Sequence, residues 1–145
     1  MRVVIRSRAD PKNLRVNIRY QDIRKLPPIV AEAMSTLVED AMKAGEEQGW
    51  NPGPDARLSA EFTITMADRR ADLDGPEKRV LDAIARGLRF NDVRVDYISL
   101  RRAVGEPGVL AVVSTLDEPA PLEPPPVAEG DWYLVPGEVI PRWSS

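Results

Sequence analysis

The chain has no cysteine and no histidine in 145 residues. Without a thiolate or an imidazole there can be no disulfide staples, zinc fingers, iron–sulfur clusters, cysteine nucleophiles, Ser-His-Asp triads or histidine-held metals. Any catalysis must run on carboxylates, lysine, arginine or hydroxyls. Long apolar runs are missing as well. No stretch approaches the roughly 18 residues of a membrane span, and the leading MRVVIRSRAD lacks the apolar region of a secretory signal. These absences predict a cytosolic protein with no membrane partner. What remains is 43% hydrophobic and 30% charged, enough to bury a core, and the length suits one domain with at most an appendage.

A net charge of −3 taken alone argues against a nucleic-acid ligand, but its distribution is uneven. Residues 1–30 carry eight Lys or Arg against two acids, whereas residues 117–145 carry one Arg against six acids. The basic leading end (Arg2, Arg6, Arg8, Lys12, Arg15, Arg19) suits phosphate contact if these residues share a face, and equally suits a solvated edge strand.

Periodicity orders the chain. Val3 and Ile5 alternate with polar neighbours as a strand, and Asp10-Pro11-Lys12-Asn13 marks a turn. After the Pro27-Pro28 breaker, Val30, Met34, Leu37, Val38, Ala41 and Met42 recur at helical spacing and predict a helix over 29–48. Strict alternation from Leu58 to Met66 predicts a strand with one core face. A polar connection then ends in Asp74-Gly75-Pro76-Glu77, a helix-start pattern with Asp74 as the N-cap. Val80, Leu81, Ile84 and Leu88 form the stripe of that helix. A strand over 93–102 follows, with Val95, Tyr97 and Ser99 expected on one side and Ile98 and Leu100 on the other. A hairpin at 105–108 is expected to lead to a buried strand over 109–114. The expected class is α/β (α+β), a small mixed sheet packed by two main helices over residues 1–116. Residues 117–145, with seven of the 14 prolines, read as an extended, acidic, Pro-rich tail. Its Trp132, Tyr133 and Trp143 are too apolar for a pure linker, which predicts docking on the domain or on a protein partner.

The informative stretch is Ala71-Asp72-Leu73-Asp74-Gly75-Pro76-Glu77-Lys78. In extended backbone, residues two apart point the same way, so Asp72 and Asp74 can offer two carboxylates to one point. Paired hard oxygens suit Mg²⁺ or Mn²⁺. Lys78, one helical turn on, can stand there as a cation for a phosphate oxygen. Asp92 reaches the same point only if the fold brings it back along the helix. Each residue also has a plainer role: Asp74 as helix cap, Asp72 in a solvated loop, Lys78 pairing with Glu77 or Asp82, Asp92 in a turn. Spacing alone leaves both sets of roles open.

These residues, with Leu81-Asp82-Ala83, Asn91-Asp92 and the strand Val93-Arg94-Val95-Asp96-Tyr97, resemble the core motif of the RusA-type Holliday junction resolvases. The family pattern is approximately D-L-D-N-x-x-K, a helix with Leu-Asp-Ala, then D-D-x-x-V. The resemblance spans roughly residues 1–116 and is most specific over 66–102. It implies that Asp72, Asp74 and Asp92 bind magnesium as catalytic carboxylates and that Lys78 is the catalytic lysine. It further implies a homodimer, often of phage or prophage origin, that nicks four-way DNA junctions in a bacterial or phage-infected cytoplasm. Pro11-Lys12-Asn13-Leu14-Arg15 resembles the family's N-terminal loop, so Lys12, Asn13 and Arg15, with Arg69 and Arg70, are the expected DNA-binding residues. Three positions depart from the pattern: Gly75 replaces the usual Asn, Asn91 the first paired acid, and Ala71 a basic residue.

The leading expectation is therefore a Mg²⁺-dependent, structure-selective endonuclease for branched DNA. The alternative is a non-catalytic DNA-binding or assembly module of the same fold, with Gly75 and Asn91 as signs of decay and the tail as partner site. A generic interaction domain would instead show no DNA affinity and no salt dependence.

Overall fold

A computed structural model describes residues 1–14, 26–68, 74–116, 132–135 and 138–141. Arg15, Arg69, Arg70, Asp72 and Trp143 lie outside the described residues. The fold is α+β. Its core is a four-stranded mixed sheet of β1 (Arg2–Ser7), β2 (Leu58–Met66), β3 (Val95–Val104) and β4 (Gly108–Thr115), with two helices, α1 (Pro28–Gln48) and α2 (Asp74–Leu88). Two short strands, β5 (Trp132–Val135) and β6 (Glu138–Pro141), extend it, and the sheet order is β1-β4-β2-β3-β5-β6. No helix among the described residues is long and apolar enough to cross a membrane.

The alternation of the strands decides which face the helices cover. Val3 and Ile5 of β1, Leu58, Ala60, Phe62, Ile64 and Met66 of β2, and Val109, Ala111 and Val113 of β4 are all buried, and they join Leu37, Ala41, Val80, Ala83 and Ile84 of the helices in one core. α1 starts at the proline pair and stops at Gly49, whose φ of 69° is the left-handed conformation that glycine adopts without steric cost. The Gly49 amide donates to the Glu46 carbonyl and the Trp50 amide to the Gly45 carbonyl, which satisfies the last carbonyls of the helix. The two helices approach closely where Gly87 of α2 faces α1. A Cβ there would lie 2.5 Å from the Ala41 Cβ and 2.7 Å from the Val38 carbonyl oxygen.

β2 and β3 pair in parallel with α2 as the crossover between them, whereas β4 pairs antiparallel with both β1 and β2. This corrects the expected hairpin at 105–108. β3 and β4 lie on opposite sides of β2, so the connection passes over the end of β2, where the Gly105 amide donates to the Met66 carbonyl at 3.0 Å. β2 is buried on alternate residues and takes a partner at each edge, which a β3–β4 hairpin would deny it.

β3 begins two residues later than expected, because Asp92–Arg94 form a 3-10 turn. Its facing differs too: Val95 is buried together with Ile98 and Leu100, although strict alternation would put it opposite them. The register slips between Leu58↔Val95 and Ser59↔Tyr97, leaving Asp96 as the extra residue of a bulge. Arg57 fixes that bulge, its Nε lying 2.9 and 3.0 Å from the two Asp96 carboxylate oxygens and its Nη2 completing the ion pair.

The tail docks on the domain, one of the two alternatives expected for it, and does so through two strands that the reading as a Pro-rich tail did not include. β5 pairs antiparallel with β3 through Ile98↔Leu134, Ser99↔Tyr133 and Leu100↔Trp132, and β6 pairs back on β5. Proline density hides the pattern: two runs of four residues, Trp-Tyr-Leu-Val and Glu-Val-Ile-Pro, stand on either side of the turn dipeptide Pro136-Gly137.

Candidate active site

The parallel strand–helix–strand unit β2–α2–β3 determines where the acidic residues fall. β2 ends at Met66, and the chain next enters α2 at Asp74, the first helical residue rather than a cap outside the helix. Asp72 lies outside the described residues, as does the side chain of Asp74. Lys78 is exposed one turn into α2, and Asp82 lies a further turn on, so the lysine stands midway between Asp74 and Asp82 on one helix face. Asp74 and Asp82 are separated by eight residues, about 12 Å of helix rise.

The return of Asp92 depends on how α2 ends. Arg89 takes a positive φ of 60°, and the Phe90 amide reaches back to the Ala85 carbonyl at 2.9 Å. This reverses the chain at once and seats Phe90 in the core. Asn91 then organises the 3-10 turn: its side-chain oxygen accepts from the Val93 amide at 3.2 Å, and its carbonyl accepts from the Arg94 amide at 2.9 Å. Asn91 thus serves as a neutral capping acceptor, and Asp92 beside it is exposed.

These two features bring Asp92 back beside α2. The half-buried Asp82 carboxyl is held above the ordinary carboxylate range by burial, opposed by the Lys78 ammonium and reinforced by the negative charge of Asp92. Arg86 and Arg79 act on it in the same sense as Lys78. Lys78 and Asp92, fourteen positions apart in sequence, therefore act on one carboxyl group. Asp82 belongs to the Leu-Asp-Ala triplet, and the sequence offers it only as a surface partner for Lys78, not as a site residue. Its spacing of four from both Lys78 and Arg86 was the available signal.

The expected DNA-binding residues Lys12 and Asn13 sit in a 3-10 turn, Pro11–Leu14, anchored by the buried Pro11 and Leu14 and packed on α2, α1 and β2. Asp10 shapes the turn, its carboxylate accepting from the Lys12 amide at 3.0 Å and its carbonyl from the Asn13 amide at 3.0 Å. Lys12 is left exposed beside the helix that bears Lys78. Arg6 and Arg8, two of the basic residues that suit phosphate contact if they share a face, are exposed on either side of the buried Ser7. They line an open groove of about 450 Å³ with Thr65 and Glu106, next to the end of β2 from which the Asp72 segment departs.

Among the described residues, no group of three or more His, Cys, Asp or Glu is gathered to hold a metal ion. Two carboxyl groups, Asp82 and Asp92, stand near enough for one charge to perturb the other, but three cationic side chains, Lys78, Arg79 and Arg86, act on the same group. Compared with known proteins, the chain matches no family model and no curated sequence.

Proposed function

We propose that this chain is a Mg²⁺-dependent, structure-selective endonuclease that hydrolyses phosphodiesters of branched DNA in the cytoplasm, four-way junctions being the leading substrate. The observation that carries the reading is the return of Asp92 along α2 to the carboxyl that Lys78 also faces. It supports the reading because Lys78 and Asp92, two of the four motif positions, both act on the Asp82 carboxyl, a relation that spacing alone leaves open. Asp72, Asp74 and Asp92 would hold the cation, with Mn²⁺ as a substitute. Bound there, the ion would polarise the scissile phosphate and lower the pKa of an attacking water. Lys78 would offset the charge that develops on the phosphate, with Asp82 and Arg86 holding its helix face in a defined field. Arg6, Arg8 and Lys12, with Arg15, Arg69 and Arg70, would grip backbone phosphates. A homodimer would bring two such sites to the two equivalent strands of a junction.

The test is incubation of the purified protein in Mg²⁺ with a synthetic mobile four-way junction, beside linear duplex of the same arms, with Asp72→Asn and Asp92→Asn as controls. Paired nicks in the junction alone, lost in both variants, are expected. Junction binding with no cleavage in Mg²⁺ or Mn²⁺ would replace this reading with the non-catalytic branched-DNA module, and no salt-dependent DNA binding would remove both.

A further inference from the structure

The sheet treats its two core edges differently. At the β1 edge, the Gln48 carboxamide of α1 stands in for a neighbouring strand, accepting from the Val4 amide at 2.8 Å and donating to the Val4 carbonyl at 2.7 Å. One side chain thus satisfies both outward-facing backbone groups of Val4 and blunts that edge against pairing. The outer edge of β3 is instead met by another strand. β3 is ten residues long, and the three residues Ile98–Leu100 in its middle are paired with β5.

We propose that the outer edge of β3 is a strand-docking site whose resident occupant is the chain's own β5–β6 hairpin, held as an exchangeable latch. The recognition is strand addition: main-chain hydrogen bonds supply affinity, and alternate side chains supply selection. The ligand class is an extended apolar segment of the Trp-Tyr-Leu-Val kind, rich in aromatic and branched residues that favour strands. The inference is independent of the nuclease reading.

The tether supports exchange. Sixteen residues separate the end of β4 from the start of β5. Thr115 stands level with Leu58, and Trp132 is level with Leu100 and so with Phe62, three strands across and four residues along. That span is about 20 Å, from strand spacings of about 4.8 Å and rises of about 3.3 Å. A Pro-rich tether of this length can extend to about 50 Å, at about 3.1 Å per residue. The latch can therefore leave β3 and return without straining the domain. While tethered, it meets the edge at an effective concentration in the millimolar range, which keeps micromolar competitors off.

The test uses a fluorescein-labelled peptide of residues 130–142 and fluorescence anisotropy. The full chain is compared with its Tyr133→Pro/Leu134→Pro double variant. Successive strand residues point their amides to opposite sides, so one of the two prolines removes a donor to β3. The peptide is expected to bind the double variant about tenfold or more tighter than the unaltered chain. Equal binding to both, or no binding to a double variant whose melting curve matches its parent, would overturn the proposal. Amide hydrogen exchange on the unaltered chain gives a reading that does not depend on the variant. Protection of residues 132–135 is expected, and exchange at the rate of the free peptide would overturn the proposal.

Discussion

Gly87→Ala tests whether the close crossing of α1 and α2 holds the site helix in place. In an exposed helix interior this change would stabilise by about 1 kcal/mol, because alanine is the better helix former. Here the new Cβ would lie 2.5 Å from the Ala41 Cβ, 2.7 Å from the Val38 carbonyl oxygen and 3.2 Å from the Met42 amide nitrogen. Ordinary contact needs well over 3 Å, so the helices must separate by the better part of an ångström. Two of the three atoms met are backbone and cannot swing aside. α1 cannot retreat easily either, because Leu37 and Ala41 are fully buried. Overpacking of this kind costs about 1–3 kcal/mol, with the upper part of the range fitting a backbone obstacle. Set against the propensity gain, the net loss is about 1–2 kcal/mol, which lowers the melting temperature by about 3–8 °C in a domain of this size. Thermal unfolding followed by far-UV circular dichroism measures it. Gly53→Ala is the control, since a Cβ there meets nothing within 4 Å. A melting temperature for Gly87→Ala equal to or above that of the parent would refute the reasoning and mean that the helices are further apart than described.

Arg89→Gly should raise stability by about 1 kcal/mol, read in urea unfolding, because a residue with a side chain at φ 60° carries left-handed strain that glycine lacks; no gain would mean that the turn tolerates arginine freely. Asp96→Asn should lower the melting temperature at pH 7. The side-chain hydrogen bonds from Arg57 hold the Asp96 carboxyl below its usual range, so its contribution is complete above the unfolded pKa and fades as pH falls through the lower folded one. Parent and Asp96→Asn melting curves should accordingly converge in acid, and a constant gap down to about pH 2 would contradict the linkage. Arg6→Ala/Arg8→Ala should weaken DNA binding without regard to sequence and reduce the salt slope by about 2, one for each lost phosphate contact. An unchanged slope would take the groove beside Thr65 out of the DNA surface.

Most of the fold was legible because its signals are local. The Pro27-Pro28 breaker and the 3.6-residue stripe predict α1 almost to the residue, and the alternation from Leu58 to Met66 predicts β2 with its buried face. What escaped depends on partners distant in sequence. Nothing within 105–108 says that β2 lies between β3 and β4, since a Gly-Glu-Pro-Gly connection suits a hairpin and a crossover equally. The bulge at Asp96 was hidden because the residue that stabilises it, Arg57, is 39 positions away. β5 was masked by composition: four strand-forming residues amid seven prolines read as tail until an open sheet edge is known to exist.

The site shows the same division. The spacing Asp72, Asp74, Lys78 could be read as chemistry because it is local to one loop and one helical turn. The position of Asp92 could not, because it depends on a left-handed residue at Arg89, a type of residue with no sequence signature for that conformation, and on Asn91 closing a turn. Asn91 is therefore part of the geometry that places Asp92. A carboxylate at position 91 would have to cap the Val93 amide as Asn91 does, and its charge would add to that of Asp92, which reinforces the upward shift that burial gives Asp82. Asparagine supplies the cap and adds no charge beside Asp92. Asn91→Asp follows as a discriminating variant: a further upward shift of the Asp82 carboxyl, read by carboxyl-carbon NMR titration, is expected if the two positions face one another, and an unmoved Asp82 would separate the turn from the helix face.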